Sequence, residues 1–222
     1  MRAQVLVVAK APIAGKAKTR LGAVVGLQAA ADLAAAALLD TLDACAQAFG
    51  DRCHLALEGD LDRASAGAEI RAALSGWQVF DQRGDTFGER LAHAHDVVAR
   101  AGSGIVQVGM DTPHLTPEQL RDAAAQLEDG AEVVLGPAAD GGWWVLGLAD
   151  GRKASALADV PMSTPQTYAE TVHALTSDGT PLVSIGQMTD VDTVEDAALV
   201  AALAPTTRFA RAWAAASIGV AS

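Results

Sequence analysis

The chain has 222 residues, half of them hydrophobic, and a formal net charge of -11 at pH 7. That is enough apolar material for one sizeable core in one α/β domain, while the acidic balance argues against a nucleic-acid surface or an anionic membrane as partner. No apolar run is long enough to span a bilayer, the N-terminus lacks a signal-peptide pattern, and Cys45 and Cys53 are too few for a disulfide framework and lack metal-site spacing, so a cytoplasmic protein with buried, reduced thiols is expected.

In chain order, apolar stretches alternate with helical patterns. Val5–Ala9 reads as a buried strand. It runs into the strand-to-helix loop Lys10–Leu21, followed by an Ala- and Leu-rich helix at roughly Leu27–Phe49. His54–Leu57 is a second strand, and Leu61–Leu74 a helix with a polar side at Asp62, Arg63, Glu69 and Arg71. Trp77–Phe80 is a third strand. Phe87–Ala101 is a helix ended by Gly102 and Gly104. Ile105–Val108 is a fourth strand, and Thr116 caps the next helix with Pro117 in its first turn. Glu132–Leu135 and Trp143–Leu148 are strands separated by a tight turn at Asp140-Gly141-Gly142. Thr164–Thr176 is a helix, Leu182–Ile185 a strand, and Val194–Leu203 a helix with Thr193 and Asp196 as a capping box. The tail Thr206–Ser222 carries Phe209 and Trp213 at helical spacing and is expected to pack on the body. This rhythm implies mostly parallel strands with helices on both faces. No repeat, low-complexity linker or second domain interrupts it, so residues 1–222 are expected to form one domain.

Lys10–Leu21 concentrates the positive charge. Three of the four lysines, Lys10, Lys16 and Lys18, lie there together with Arg20, and no Asp or Glu precedes Asp32. A cationic loop at the C-terminal edge of a strand, opening a helix N-terminus, is suited to phosphate. Pro12 and Gly15 shape the turn, and Gly15 lets backbone N–H groups approach a ligand. The loop is not a Walker A motif, because Ala17 follows Gly15-Lys16 and no Gly stands five residues earlier. It is not a Gly-x-Gly-x-x-Gly fingerprint either. A merely solvated basic loop is the alternative.

Asp111 follows the end of a buried strand, where open α/β sheets bind ligands. It is placed to hold a divalent cation against a phosphate, although Asp-Thr-Pro is also a good turn sequence. Asp190 and Asp192 follow the last strand in alternation and are expected to point to opposite sides. One can reach the site while the other stays at the helix start, and Asp192 is the preferred second ligand. Asp140, in the Gly136–Gly142 turn at the same sheet edge, can hold a substrate hydroxyl or assist a metal, or belong to a plain hairpin. Gln82, Arg83 and Arg90 open another helix and can meet a base, sugar or phosphate, with surface pairing as the alternative for Arg83. His93 and His95 lie on different helix faces and are no metal pair. His114 is a lone loop histidine. No Ser/His/Asp or Cys/His nucleophilic set is legible.

Five blocks occur in order: Lys10-x-Pro12-x-x-Gly15-Lys16-x-Lys18-Thr19-Arg20-Leu21, Gly84-x-x-x-Gly88-Glu89-Arg90, Gly109-x-Asp111-x-Pro113-x-Leu115, Leu135-Gly136-Pro137-x-x-Asp140-Gly141-Gly142 and Asp190-x-Asp192-Thr193-x-x-Asp196. Together they resemble the bacterial glycosyltransferase-like branch of the nucleotide-diphospho-sugar transferase superfamily. That branch is similar to the guanylyltransferases for 2-phospholactate and for molybdenum cofactor. The resemblance implies a GT-A fold, Rossmann-like and mostly parallel, with the nucleotide over the first loop. It implies Asp111 as the metal-binding Asp of a degenerate Asp-x-Asp motif, with Asp192 as partner and Mg²⁺ or Mn²⁺ as the ion. It implies that Lys18 and Arg20 contact the nucleotide phosphates. With the reading of the residues above, the expected nucleotide-binding set is Ala9, Lys10, Pro12, Gly15, Lys16, Lys18, Thr19, Arg20, Gln82 and Arg90, and Lys18, Arg20, Asp111 and Asp140 are expected to serve the chemistry. Two positions depart from the branch: His114 stands where an acid is usual, and Trp143-Trp144 replaces a Tyr-containing pair. The expected activity is nucleotidyl transfer from a nucleoside triphosphate to a phosphorylated small-molecule acceptor, releasing pyrophosphate. A glycosyltransferase using a nucleotide-sugar, and a nucleotide-binding protein without turnover, are the alternatives. Base, acceptor and oligomeric state, a homodimer included, are left open.

Overall fold

The computed structural model describes residues 3–99 and 103–220. The expected helix stop at Ala101–Gly102 and the last two residues of the tail lie outside them. The elements in order are β1 (Gln4–Lys10), α1 (Thr19–Val25), α2 (Leu27–Phe49), β2 (Cys53–Glu58), α3 (Gly67–Ala73), β3 (Gln78–Asp81), α4 (Phe87–Ala99), β4 (Ile105–Val108), α5 (Pro117–Glu128), β5 (Val133–Pro137), β6 (Trp143–Leu148), α6 (Thr167–Thr176), β7 (Leu182–Ser184), α7 (Val194–Leu203) and α8 (Arg208–Val220). Two 3-10 segments, Leu61–Arg63 and Gly151–Asp159, join them.

The strands form one sheet in the order β3-β2-β1-β4-β6-β5-β7. Neighbours are parallel except for β6, which is antiparallel to both β4 and β5. This is the expected Rossmann-like, mostly parallel α/β architecture. Successive side chains of β1 serve opposite faces. Val5 and Val7 pack with Leu38 and Leu42 of α2 and Leu120 of α5. Leu6 and Val8 pack with Leu91 and Val98 of α4 and with Leu157 of the second 3-10 segment. A third apolar cluster joins Leu21, Leu33, Val191, Val200 and Phe209, so α1, α7 and α8 close over the outer side of α2. The tail does pack through Phe209 and Trp213. The chain leaves β1 towards β2 on one side and returns as β4 on the other, so the carboxyl ends of β1 and β4 flank the topological switch point.

Two local features differ from the sequence-based expectation. The end of the basic loop is helical, because α1 begins at Thr19. The expected Leu61–Leu74 helix is broken: Ala66 is left-handed at φ 51°, and a Cβ on Gly67 would stand 2.0 Å from the Leu61 carbonyl oxygen. The Gly136–Gly142 turn does make the hairpin offered as one of its readings, since the short Ala138–Gly142 connection reverses the chain between β5 and β6.

Gly88 shows why α4 sits where it does. Thr86 Oγ1 accepts from Glu89 N at 3.1 Å, and Glu89 reaches back to the amides of Asp85 and Thr86. One residue into the helix, Gly88 lies against the second 3-10 segment, where a Cβ would stand 2.1 Å from the Leu157 carbonyl oxygen. Gly88→Ala is expected to lower stability by about 1–3 kcal/mol, the usual scale of overpacking. Urea denaturation checks this as a lower midpoint with an unchanged slope; an unchanged midpoint would show that the contact yields.

Candidate active site

The basic loop is shaped by its own backbone. Ile13 O accepts from Lys16 N at 2.9 Å and from Ala17 N at 3.1 Å. Gly15 has φ 77° and Lys18, the N-cap of α1, has φ 49°. A left-handed lysine costs about 1–2 kcal/mol, and here that backbone coincides with a side chain turned inward. The Lys18 side chain is 7% exposed, with Nζ 2.5 Å from Asp111 Oδ1 and 3.3 Å from Asp192 Oδ1. It also donates to the Val191 carbonyl. Burial disfavours the ammonium, but Asp111 and then Asp192 outweigh it, so its pKa lies above the ordinary lysine value. Arg20 Nη1 lies 3.4 Å from Asp192 Oδ2 and its side chain is 78% exposed.

The acids come from two other regions. Asp111 sits in the loop after β4, and its carbonyl accepts from Val191 N at 2.9 Å. The segment bearing Asp190 and Asp192 is further tied by Met188, which exchanges backbone bonds with Pro137 and Ala139. The Thr193–Asp196 capping box forms as expected and fixes the start of α7. Of the two candidates, Asp192 is the one that meets Lys18 and Arg20.

Two clefts meet here. The first is lined by Lys10, Lys16, Lys18, Thr19 and Arg20, together with Asp111 and Asp192. The second, of about 410 Å³, is lined by Arg20, Asp111, Asp140, Asp190 and Asp192, with Phe87, Trp143 and Met162 on its far wall. Arg20, Asp111, Asp192 and Ser163 border both. Asp140 Oδ1 accepts from Gly142 N at 2.8 Å, which holds its carboxylate at the hairpin turn.

The remaining predicted site residues lie beside these clefts. Gln82 Nε2 donates to the carbonyls of Ala9 at 2.9 Å and Ala56 at 3.0 Å, bracing the ends of β1 and β2. Its buried Oε1 has no partner among the described residues. Arg90 pairs with Glu58 at 2.9 Å, and Lys10 with the same carboxylate at 3.4 Å. Pro12 is buried in the loop and its carbonyl accepts from Ser65 N at 2.9 Å. Arg83 is exposed. His114 lines neither cleft. Two residues of the clefts carry no signal in the sequence. Thr112 lies at the floor, and Ser163 has φ 61° in the loop before α6. An Asp-Thr-Pro turn and a Ser-Thr-Pro turn look like many others, and no pattern announces them.

A family model described as "Uncharacterized protein conserved in bacteria (DUF2064)" matches residues 41–164. Over 109 residues the chain is 33% identical to phosphoenolpyruvate guanylyltransferase of Mycobacterium leprae, covering 49% of this chain and 50% of that one. The chain thus spans about half the length of the curated relatives it matches. A crystal structure from Desulfovibrio desulfuricans, described as a nucleotide-diphospho-sugar transferase, superposes with a TM-score of 0.82 at 27% identity, over 96% of this chain and 94% of that one. The Mycobacterium tuberculosis protein Rv0371c, solved in complex with manganese, shares the fold at a TM-score of 0.54 and 23% identity, over 89% of this chain and 98% of that one.

Asp190 gives the site a pH signature. Burial first, then the carboxylates of Asp111 and Asp140, push its pKa up to about 7 against the opposing pull of Lys18. The unfolded chain ionises this group near 3.8. Its contribution to stability is therefore complete below that pH and is lost as the pH rises through about 7. Asp190→Asn is expected to gain stability relative to the parent between pH 4 and 7, with a constant difference above. Thermal melts in metal-free buffer test this, and parallel melting curves across the range would refute it.

Proposed function

The chain belongs to the DUF2064 family, and on that footing we propose that it is a nucleotidyltransferase, moving a nucleoside monophosphate from a nucleoside triphosphate to a phosphorylated small-molecule acceptor. The observation that carries this reading is the Lys18 ammonium, buried between Asp111 and Asp192 where the basic cleft meets the acidic one. The guanylyltransferase named among its relatives supports the same chemistry. We propose one transferase domain over the chain and a cytoplasmic setting; among the described residues no helix is long and apolar enough to cross a membrane.

In this reading the triphosphate lies over the basic loop. Lys10, Lys16 and Lys18 take its charge, and Arg20 faces the junction of the clefts. Ala9, Gln82 and Arg90 form the edge beyond the loop where a base would rest, and Gly15, Pro12 and Thr19 shape the phosphate cradle. An acceptor oxygen forms a bond to the α-phosphorus as the bond to pyrophosphate breaks. Positioning and charge neutralisation suffice for such a step without a protein nucleophile. Asp140 orients the acceptor from the hairpin turn.

The residues present fit a divalent cation. Two carboxylate oxygens and the Val191 carbonyl already converge on one cation, the Lys18 ammonium. Among the described residues no three His, Cys, Asp or Glu side chains form a complete ligand set. Asp111 and Asp192 would therefore hold Mg²⁺ or Mn²⁺ together with phosphate oxygens, the usual arrangement for Mg²⁺. Bound there, the ion supplies neutralisation of phosphate charge.

Calorimetry with GTP, CTP and nucleotide-sugars, with and without Mg²⁺, tests the proposal. Mg²⁺-dependent binding of a triphosphate is expected, and binding of a nucleotide-sugar alone would overturn it. Asp111→Asn is expected to abolish the Mg²⁺ dependence. Lys18→Met, provided its far-UV spectrum is native, is expected to weaken the triphosphate by about 30-fold or more, since it removes a buried charge partner.

A further inference from the structure

In a nucleotidyltransferase with its triphosphate on the basic loop, the larger cleft is the acceptor's place, and the inference drawn from that cleft rests on the nucleotidyltransferase reading. The far wall of the cleft is apolar. Phe87, the first residue of α4, is 42% exposed, and Trp143 and Met162 stand beside it half-buried. An aromatic ring left open at a cleft is surface that a ligand can remove from water.

The polar groups near that wall are committed to the protein. Trp143 Nε1 donates to Thr171 Oγ1 at 3.2 Å. Thr167 Oγ1 donates to the Pro161 carbonyl at 2.9 Å, and the Thr164 hydroxyl meets Thr167 and the Gln166 amide. Gln107 Oε1 is engaged by His95 at 2.8 Å. Two hydroxyls differ: Thr112 is 1% exposed, lines the cleft beside Asp111 and has no partner for its Oγ1 among the described residues, and the exposed Ser163 lines the cleft as well. Charge points the same way. Among the described residues lining this cleft, Arg20 is the cation, while Asp111, Asp140, Asp190 and Asp192 are carboxylates.

We infer that the acceptor is a phosphate monoester with an apolar organic body, aromatic or alkyl, rather than a sugar phosphate or a molecule with a second anionic group. Its phosphate lies at the junction of the clefts, where Arg20 and the Thr112 hydroxyl can donate to it. Its body covers Phe87 and Met162. A polyol would lay hydroxyls over Phe87 and Met162 and take little of that apolar surface out of water. A second anion would face Asp140 and Asp190 without a cation of its own. The chemistry balances without a base: an already ionised phosphate oxygen bonds to the α-phosphorus, the bond to pyrophosphate breaks, and no proton moves.

Pyrophosphate release from GTP and from CTP with Mg²⁺ is measured with phenyl phosphate, butyl phosphate, glucose 1-phosphate or phosphoenolpyruvate as acceptor. Release with phenyl or butyl phosphate is expected to exceed that with the other two by about tenfold or more, the range an apolar pocket can discriminate. Phe87→Ser is expected to shrink that preference to within about threefold. Equal or better release with glucose 1-phosphate or phosphoenolpyruvate overturns the inference, as does no release with any acceptor by protein that binds a triphosphate in calorimetry. Absence of triphosphate binding overturns the nucleotidyltransferase reading itself, and this inference with it.

Discussion

The structure depends on one buried cation. Lys18 Nζ is held by Asp111, Asp192 and the Val191 carbonyl, so residues far apart in sequence share a single charge cluster. An ammonium taken from water and left unpaired is costly by several kcal/mol. The first loop, the loop after β4 and the segment before α7 are therefore bound to adopt their positions together. The contact also makes physical sense of a left-handed lysine, whose local cost is small beside that of an orphaned charge. The same oxygens that satisfy the ammonium are those a hard divalent ion prefers. The protein thus holds the site together by standing its own cation among the acids.

The sheet supplies the frame for this cluster. With β1 and β4 adjacent and parallel, their following loops leave the same edge. Asp111 and the basic loop then face each other with little freedom. The third contributor arrives by a different route. Val191 is fully buried with Leu21, Leu33 and Phe209, so an apolar anchor sets the carboxylates on either side of it. Asp190 and Asp192 do not point to opposite sides as expected: flanking a side chain that must point into the core, both fall on the other face. Both line the larger cleft, and Asp192 also reaches Lys18.

Much of this is legible in the sequence. Buried strands read as apolar runs, and the charge bias of Lys10–Arg20 marks the cationic edge of the site by residue type alone. Capping boxes at Thr116 and Thr193 can be read or approached in the same way. The features that escape are ones that residue type does not determine. Helix α1 is seven residues long, carries Gly22 inside and is bounded by Gly26, so its pattern is too short to stand out. The Leu61–Leu74 stretch keeps helical spacing through a break that arises because Gly67 packs on the Leu61 carbonyl. The direction of β6 is implicit in the brevity of the turn before it, a length argument rather than a compositional one. The burial of Lys18 cannot be read at all, since its three oxygen partners lie more than ninety residues downstream. The family match over residues 41–164 takes in Asp111 and Asp140 but neither the basic loop nor Asp192.

The late position of Asp192 has a bearing on biosynthesis. A ribosome that has delivered the chain only as far as β6 has made six of the seven strands and the whole basic loop, yet Lys18 still lacks one carboxylate and its carbonyl partner. The nascent chain would hold a half-built cradle until the residues after β7 emerge and Val191 seats in its apolar niche. Completion of the charge cluster is thereby deferred to a nearly finished polypeptide, and proteolytic clipping ahead of Val191 would again leave Lys18 without those partners.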